Sequence, residues 1–160
     1  MTHTILTGPG AGGERDVALR VRRADWPRDE AAIAAVRRAV FIQEQGVPEA
    51  LEWEPDDPRC DWFLAEAADQ VVGTARLTAD ARIGRMAVLP QWRRRGVGSA
   101  LMRAVLAHAR TLGLQQVSLH AQVHALPFYA RFGFQPVGPQ FDEAGIPHRR
   151  MFLRLACQEG

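Results

Sequence analysis

A glycine-containing loop with three adjacent arginines carries the clearest chemistry in this sequence. It reads Arg93-Arg94-Arg95-Gly96-Val97-Gly98-Ser99. Glycine allows a tight turn that exposes consecutive backbone N–H groups, and a helix that begins here adds its positive N-terminal end. Arginine adds bidentate hydrogen-bond donors that suit phosphate oxygens. The loop therefore predicts a binding site for a multiply charged phosphate group, in particular a pyrophosphate.

The loop alone leaves other interpretations open. The dinucleotide-binding fingerprint GxGxxG needs a third glycine, but Leu101 stands at that position, so a Rossmann-type site does not fit. A helix-entry turn with a solvated run of arginines is compatible with the local sequence. A nucleic-acid contact is the third interpretation, and the lack of interleaved aromatic residues counts against it.

Tyr129 is the only tyrosine of the chain and is flanked by Phe128, Phe132 and Phe134. A phenol ordinarily has a pKa of about 10, so a tyrosine stays protonated at neutral pH and can donate a proton as a general acid. Aromatic packing with the neighbouring phenylalanines is the alternative role, and the local sequence alone favours it.

The composition excludes several classes of chemistry. All 20 residues counted as Lys or Arg are arginine, and asparagine is absent. Without lysine there is no Schiff base, P-loop lysine or kinase-type ATP lysine, and without asparagine there is no N-glycosylation acceptor. The formal net charge of +2 indicates no bulk affinity for nucleic acid.

Cys60 and Cys157 lie in unrelated contexts and form no zinc-like spacing with the histidines, so we expect neither a disulfide nor a metal site. The N-terminal sequence lacks a basic segment followed by an apolar run. No apolar stretch approaches the roughly 18 residues of a membrane span. These features predict a cytoplasmic protein that has no membrane partner.

The hydrophobic pattern predicts the elements that position these residues. Residues 1–16 are expected to form a disordered tail and residues 17–160 a single domain. Strands are predicted over 17–23, 61–68, 71–78, 81–89, 116–122, 134–137 and 149–155, and helices over 27–41, 99–112 and 126–132. The pattern indicates an α/β fold with a mixed, twisted sheet of about six to seven strands and helices on both faces.

Two motifs resemble those of GNAT-superfamily N-acetyltransferases. Arg93-x-x-Gly96-x-Gly98, between a strand and a helix, resembles the acyl-coenzyme A motif, and 128–134 resembles the FYxxxGF segment. The stretch 41–48 (FIQEQGVP), with Ile146-Pro147-His148, is similar to the ElaA-like subgroup. The resemblance covers about residues 17–155. It implies transfer of an acetyl group from acetyl-CoA to a primary amine of a small molecule or peptide by direct attack.

The resemblance also implies roles for particular residues. Tyr129 takes the general-acid position, and strand 82–89 splays so that backbone groups of Met86 and Val88 hold the pantetheine and the thioester carbonyl. Many relatives carry an asparagine where this chain has Gln122 and His124. The residues expected to bind coenzyme A are Met86, Ala87, Val88, Arg93, Arg94, Arg95, Gly96, Val97, Gly98, Ser99, Gln122 and Phe128.

On the acceptor side, no single general base stands out from the sequence. Glu44, Glu52, Asp57 and His148 lie in segments that would border the acceptor cleft in the subgroup. The identity of the amine is not encoded, and the chain is compatible with a monomer or a homodimer. A coenzyme A-binding sensor or scaffold without turnover remains the alternative function.

Overall fold

The computed structural model describes residues 4–7 and 18–156. Eight strands form one sheet: β1 (Thr4–Thr7), β2 (Ala18–Arg23), β3 (Asp61–Ala67), β4 (Gln70–Leu77), β5 (Arg82–Val88), β6 (Gln116–Gln122), β7 (Gln135–Glu143) and β8 (Ile146–Arg154). Their spatial order is β1-β2-β3-β4-β5-β6-β8-β7. All neighbours are antiparallel except β5 and β6, which are parallel, so the sheet is mixed as predicted.

Four α-helices accompany the sheet: α1 (Trp26–Arg37), α2 (Glu49–Glu52), α3 (Val97–Thr111) and α4 (Leu126–Ala130). Proline in the first turn of α1 suits a helix start, because its missing N–H has no partner there in any case. Helix α1 continues as a π-helix over Arg38–Glu44. Helix α3 connects β5 to β6 and is followed by Gly113 in the left-handed conformation that commonly ends helices.

Helices cover both faces of the sheet, which confirms the predicted α/β architecture. Strand β3 shows this directly, since its side chains alternate between two buried faces. Phe63 and Ala65 belong to the apolar cluster that contains α3, whereas Trp62 and Leu64 pack with Ile33 of α1. A strand that is buried on both sides needs a layer of helices on each.

The structure adds a strand and lengthens a hairpin relative to the predictions. Strand β1 pairs with β2 inside the segment expected to be a tail, and it raises the strand count above the expected six to seven. The remaining residues of that tail lie outside the described ones. The last hairpin runs through β7 and β8, longer than the predicted 134–137 and 149–155. Most of β7 is exposed, and its sequence mixes proline, glycine and polar residues, so no alternation of apolar residues marks it.

The acidic stretch before β3 also contains order that its composition does not indicate. Helix α2 and a short 3-10 turn at Asp57–Arg59 form within it. Among the described residues, no helix is long and apolar enough to cross a lipid bilayer.

Candidate active site

Strands β5 and β6 separate after a short parallel contact and thereby open the centre of the sheet. They pair only at Arg82 with Ser118 and at Ile83 with Leu119. Beyond this point β5 has a register shift against β4, and Arg85 adopts a left-handed backbone with φ 46°. The hydroxyl of Thr74 donates to the Arg85 carbonyl over 3.1 Å. A bulge bends its strand and increases the local twist, which accounts for the divergence of β5 from β6.

A cavity of about 900 Å³ occupies this opening. Seven of the residues expected to bind coenzyme A line it, together with the expected general acid: Met86, Ala87, Val88, Arg93, Gly98, Gln122, Phe128 and Tyr129. Of the four residues expected near the acceptor, Glu44, Glu52 and His148 line the cavity. Asp57 does not line the cavity, and its buried carboxylate binds two arginines.

The loop before α3 presents backbone N–H groups in the way its glycines predict. Arg94 and Gly96 have φ angles of 61° and 81°, and this left-handed pair turns the chain into the helix. The first backbone hydrogen bond of the helix runs from the Ala100 N–H to the Gly96 carbonyl, 3.0 Å. The N–H groups of 97–99 have no hydrogen-bond acceptor within the described part of the chain. Unpaired N–H groups at a helix N-terminus suit a phosphate, so this loop fits a pyrophosphate.

Gly98 is held close to the aromatic ring that follows β6. A Cβ atom at this position would lie 3.4 Å from Cζ of Phe128 and 4.0 Å from a methyl group of Val88. Because glycine has only a hydrogen atom as its side chain, the backbone at Gly98 stays accessible beside the Phe128 ring. A long side chain at this position would have to enter the cavity. Gly98 therefore keeps the entrance to the loop open.

The side chain of Arg93 is bound to other groups of the protein. Arg93 donates from Nε to the Val88 carbonyl over 3.1 Å and from Nη1 to Oε2 of Glu44 over 2.7 Å. The Val88 carbonyl is thus already engaged. The side chain of Arg93 ties the π-helix to the end of β5, and its hydrogen bond lowers the pKa of Glu44. Val97 is buried in the core, so only its backbone can reach a ligand.

Tyr129 packs among aromatic side chains and also faces the cavity. Its ring packs edge-on against Phe128 and Phe134, with centroid distances of 5.1 and 6.2 Å. The same residue lines the cavity. Burial raises the pKa of Tyr129 to about 12, so the phenol remains protonated at any physiological pH. Nearby, Gln122 Nε2 donates to Gln45 Oε1 over 2.9 Å and bridges β6 to the end of the π-helix.

A buried ion-pair network forms the wall behind the cavity. Arg37 donates from Nε to Glu52 over 2.8 Å and from Nη1 to Asp57 over 2.9 Å. Arg76 donates to Asp57 over 3.0 Å, and Arg85 lies 3.4 Å from Glu52. Burial raises the pKa of Glu52 and lowers that of Arg85. Burial also disfavours the charged form of Asp57, but its hydrogen bonds from the Glu54 N–H and Arg37 lower its pKa overall.

The pairing of these buried charges could not be predicted from the sequence. Glu52 and Asp57 lie in a segment expected to border the acceptor, and both are bound by Arg37 from α1. Their partners lie 15 and 20 residues away, and no local pattern marks such pairs. In the described part of the chain, no cluster of three or more His, Cys, Asp or Glu could hold a metal ion.

Comparisons with known proteins agree with this geometry. The family model for the GNAT acetyltransferase domain matches residues 24–155. The uncharacterized protein YyaT of Bacillus subtilis is 32% identical over 144 residues, which cover 86% of this chain and 97% of YyaT.

Solved structures give the same result. ElaA of Escherichia coli has a TM-score of 0.75 at 29% identity and covers 84% of this chain and 98% of its own. An acyl-CoA N-acyltransferase of Pseudomonas aeruginosa has a TM-score of 0.74 at 28% identity, with coverage of 82% and 97%. The resemblance seen in the two motifs is confirmed, and this chain belongs to the GNAT family of acetyltransferases, whose activity is acyl transfer.

Proposed function

We propose that this protein transfers an acetyl group from acetyl-CoA to a primary amine of a small molecule or peptide in the cytoplasm. One observation carries the proposal. Gly98 at the start of α3, the splayed strand β5 and the protonated phenol of Tyr129 all border one cavity, and the N–H groups of 97–99 are unpaired beside it. Unpaired N–H groups can bind a diphosphate, free backbone groups of a splayed strand can orient a thioester, and a phenol can protonate a leaving thiolate.

When bound, acetyl-CoA supplies the acetyl group as a thioester. The N–H groups of 97–99 hold the pyrophosphate, with exposed Arg94 beside them. The backbone of Met86, on the side of β5 that β6 does not cover, orients the thioester. Phe128 packs against Gly98 and shields the reacting groups from water. Tyr129 donates its proton to the departing sulfur.

The cofactor part of the proposal is tested by calorimetry with acetyl-CoA. The wild type is expected to bind with micromolar affinity. Gly98→Glu places a carboxylate and its side chain between the loop and Phe128, and should abolish binding. Gln91→Glu is the matched control, because it adds the same charge at an exposed position just before the loop and should bind as the wild type does. A folded wild type that binds no acetyl-CoA would refute the proposal.

The transfer part is tested by a screen of primary amines, with release of coenzyme A as the readout. Tyr129→Phe retains the aromatic packing and should reduce kcat by about 100-fold or more while acetyl-CoA binding is retained. Tight binding without transfer to any amine would instead support a sensor or scaffold that does not turn over.

A further inference from the structure

Three polar side chains meet at the end of the cavity formed by the last strands. His120 lies on β6, Glu143 at the end of β7 and His148 on β8, and all three line the cavity. The insertion of β8 between β6 and β7 brings them together. Glu143 lies between the two rings, with Oε1 at 3.2 Å from Nδ1 of His120 and Oε2 at 3.6 Å from Nε2 of His148.

The orientation and tautomer of His148 are fixed by its surroundings. Its Nδ1 lies 2.6 Å from the carbonyl oxygen of Ile146, which can only accept a hydrogen bond. Nδ1 therefore carries the proton, and in the neutral ring Nε2 has the lone pair. The ring stacks on Phe141 with a centroid distance of 5.9 Å, and the residue is only 6% exposed. His148 is thus a rigid proton acceptor at the cavity wall.

The other carboxylates that face this cavity are already engaged by arginines. Glu44 is held by Arg93. Glu52 is held by Arg37 and is 1% exposed. Glu54 receives a hydrogen bond of 2.8 Å from Arg85.

Five further charged or titratable groups line the cavity. Arg76 and Arg82 are cations on β4 and β5 and accept no proton. His124 is exposed, and no hydrogen bond or ring contact orients it in the described part of the chain. His120 directs Nδ1 at Glu143. Glu143 itself is about half exposed and contacts both imidazoles, so it compensates charge on them.

We propose that His148 is the general base that deprotonates the acceptor amine, with Glu143 as its positioning residue. This inference rests on the proposed function. Nε2 of His148 takes one proton from the bound ammonium, and Glu143 stabilises the imidazolium that results. The neutral amine then attacks, so that the N–C bond forms and the C–S bond breaks. Tyr129 gives its proton to the sulfur and then takes up the second proton that the acylated nitrogen loses. His148 releases its proton to water.

The test compares two primary amines of similar size with acetyl-CoA. Ethylamine is an ammonium ion at pH 7, whereas 2,2,2-trifluoroethylamine is already neutral and needs no base. His148→Asn keeps an N–H that can donate to the Ile146 carbonyl but removes the base. We expect kcat/KM to fall about 100-fold with ethylamine at pH 7, to recover as the pH rises, and to change little with trifluoroethylamine.

Two further variants separate catalysis from packing. Glu143→Gln should lower kcat/KM with ethylamine at pH 7 by about tenfold and change it little with trifluoroethylamine, because it removes the carboxylate that compensates the imidazolium. His108→Gln replaces a histidine outside the cavity that binds Asp61 over 2.9 Å, and should leave kcat/KM unchanged with both amines. Thermal unfolding and acetyl-CoA binding report whether each variant is folded.

The possible results lead to different conclusions. Equal losses with both amines, or no recovery of ethylamine transfer by His148→Asn as the pH rises, would overturn the assignment of the base while the transfer activity stands. If His148→Asn does not fold, equal effects of Glu143→Gln on the two amines overturn it. A wild type that binds acetyl-CoA but acetylates no amine overturns the proposed function, and this inference with it.

Discussion

Replacement of Arg37 by methionine should destabilise the protein strongly without removing apolar packing. The guanidinium is 1% exposed and lies 4.8 and 4.9 Å from the ring centroids of Trp53 and Trp62. Methionine can fill this space, but it leaves Glu52 and Asp57 without their common partner. The cost therefore comes from uncompensated buried carboxylates.

The size of the effect follows from the contacts that remain. Removal of one member of a buried ion pair typically costs about 3–5 kcal/mol. Asp57 keeps its 3.0 Å bonds from Arg76 and from the Glu54 N–H, and Glu52 keeps Arg85 at 3.4 Å. We therefore expect a loss near the lower limit, about 3 kcal/mol in the free energy of unfolding, or roughly 6–12 °C in Tm for a chain of this size.

The loss of stability should also depend on pH, and the burial of Glu52 determines in which direction. The pKa of Glu52 is raised in the folded protein by burial, and Arg37 is one of the groups that lower it. Without Arg37 this pKa rises further above that of the unfolded chain, so the folded variant binds the proton more tightly. The variant gains stability relative to the wild type as the pH falls through that raised pKa, and the difference should shrink from pH 7 to pH 5.

Urea denaturation at both pH values measures this effect. Arg38→Met is the matched control, because the adjacent arginine pairs with Glu49 at the surface and its replacement should have little effect. Addition of Glu52→Gln to Arg37→Met should restore part of the stability at pH 7. If Arg37→Met is no less stable than Arg38→Met, the reasoning about the buried network is refuted.

Three other predictions concern the cofactor side of the site. Burial raises the pKa of Tyr129 to about 12, so deprotonation of this residue should not lower kcat below about pH 10. If kcat of the wild type does fall below about pH 10, and Tyr129→Phe shows no such fall, this prediction is wrong. Gly96→Ala and Gly113→Ala both place a side chain at positive φ, 81° and 75°, and should destabilise the fold by about 1 kcal/mol each, but calorimetry should show weaker acetyl-CoA binding only for the first. Glu44→Gln removes the partly exposed ion pair with Arg93 and should weaken acetyl-CoA binding by at most about fivefold; a complete loss would mean that Glu44 itself contacts the ligand.

The position of the glycine loop before α3 could be predicted from the sequence because its signals are local. Glycine at a required left-handed position, arginines beside it and an amphipathic helix after it all lie within a few residues of one another. The predicted helix over 99–112 and strand over 116–122 agree with α3 and β6 to within about two residues. The family resemblance rests on the same local features.

The far end of the cavity, around β6, β7 and β8, was decided by the tertiary structure alone. The left-handed conformation of Arg85 belongs to a bulge in β5, and the identity of an arginine does not indicate such a conformation. Glu143 and His120 were not selected from the sequence, because their proximity depends on the order of β6, β8 and β7. The burial of Glu52 and Asp57, 1% and 4% exposed, and their pairing with Arg37 cannot be predicted from an acidic segment.

The physical reason for this division is the range of the interactions involved. Turns, helix ends and alternation of apolar residues depend on neighbours in the chain, so the amino-acid sequence by itself determined the α/β layers, the glycine loop before α3 and the location of Tyr129. Ion pairs and histidine contacts depend on which distant strands become adjacent. Only the packed sheet decided which carboxylates are engaged by arginine, and it left His148 oriented at the cavity wall.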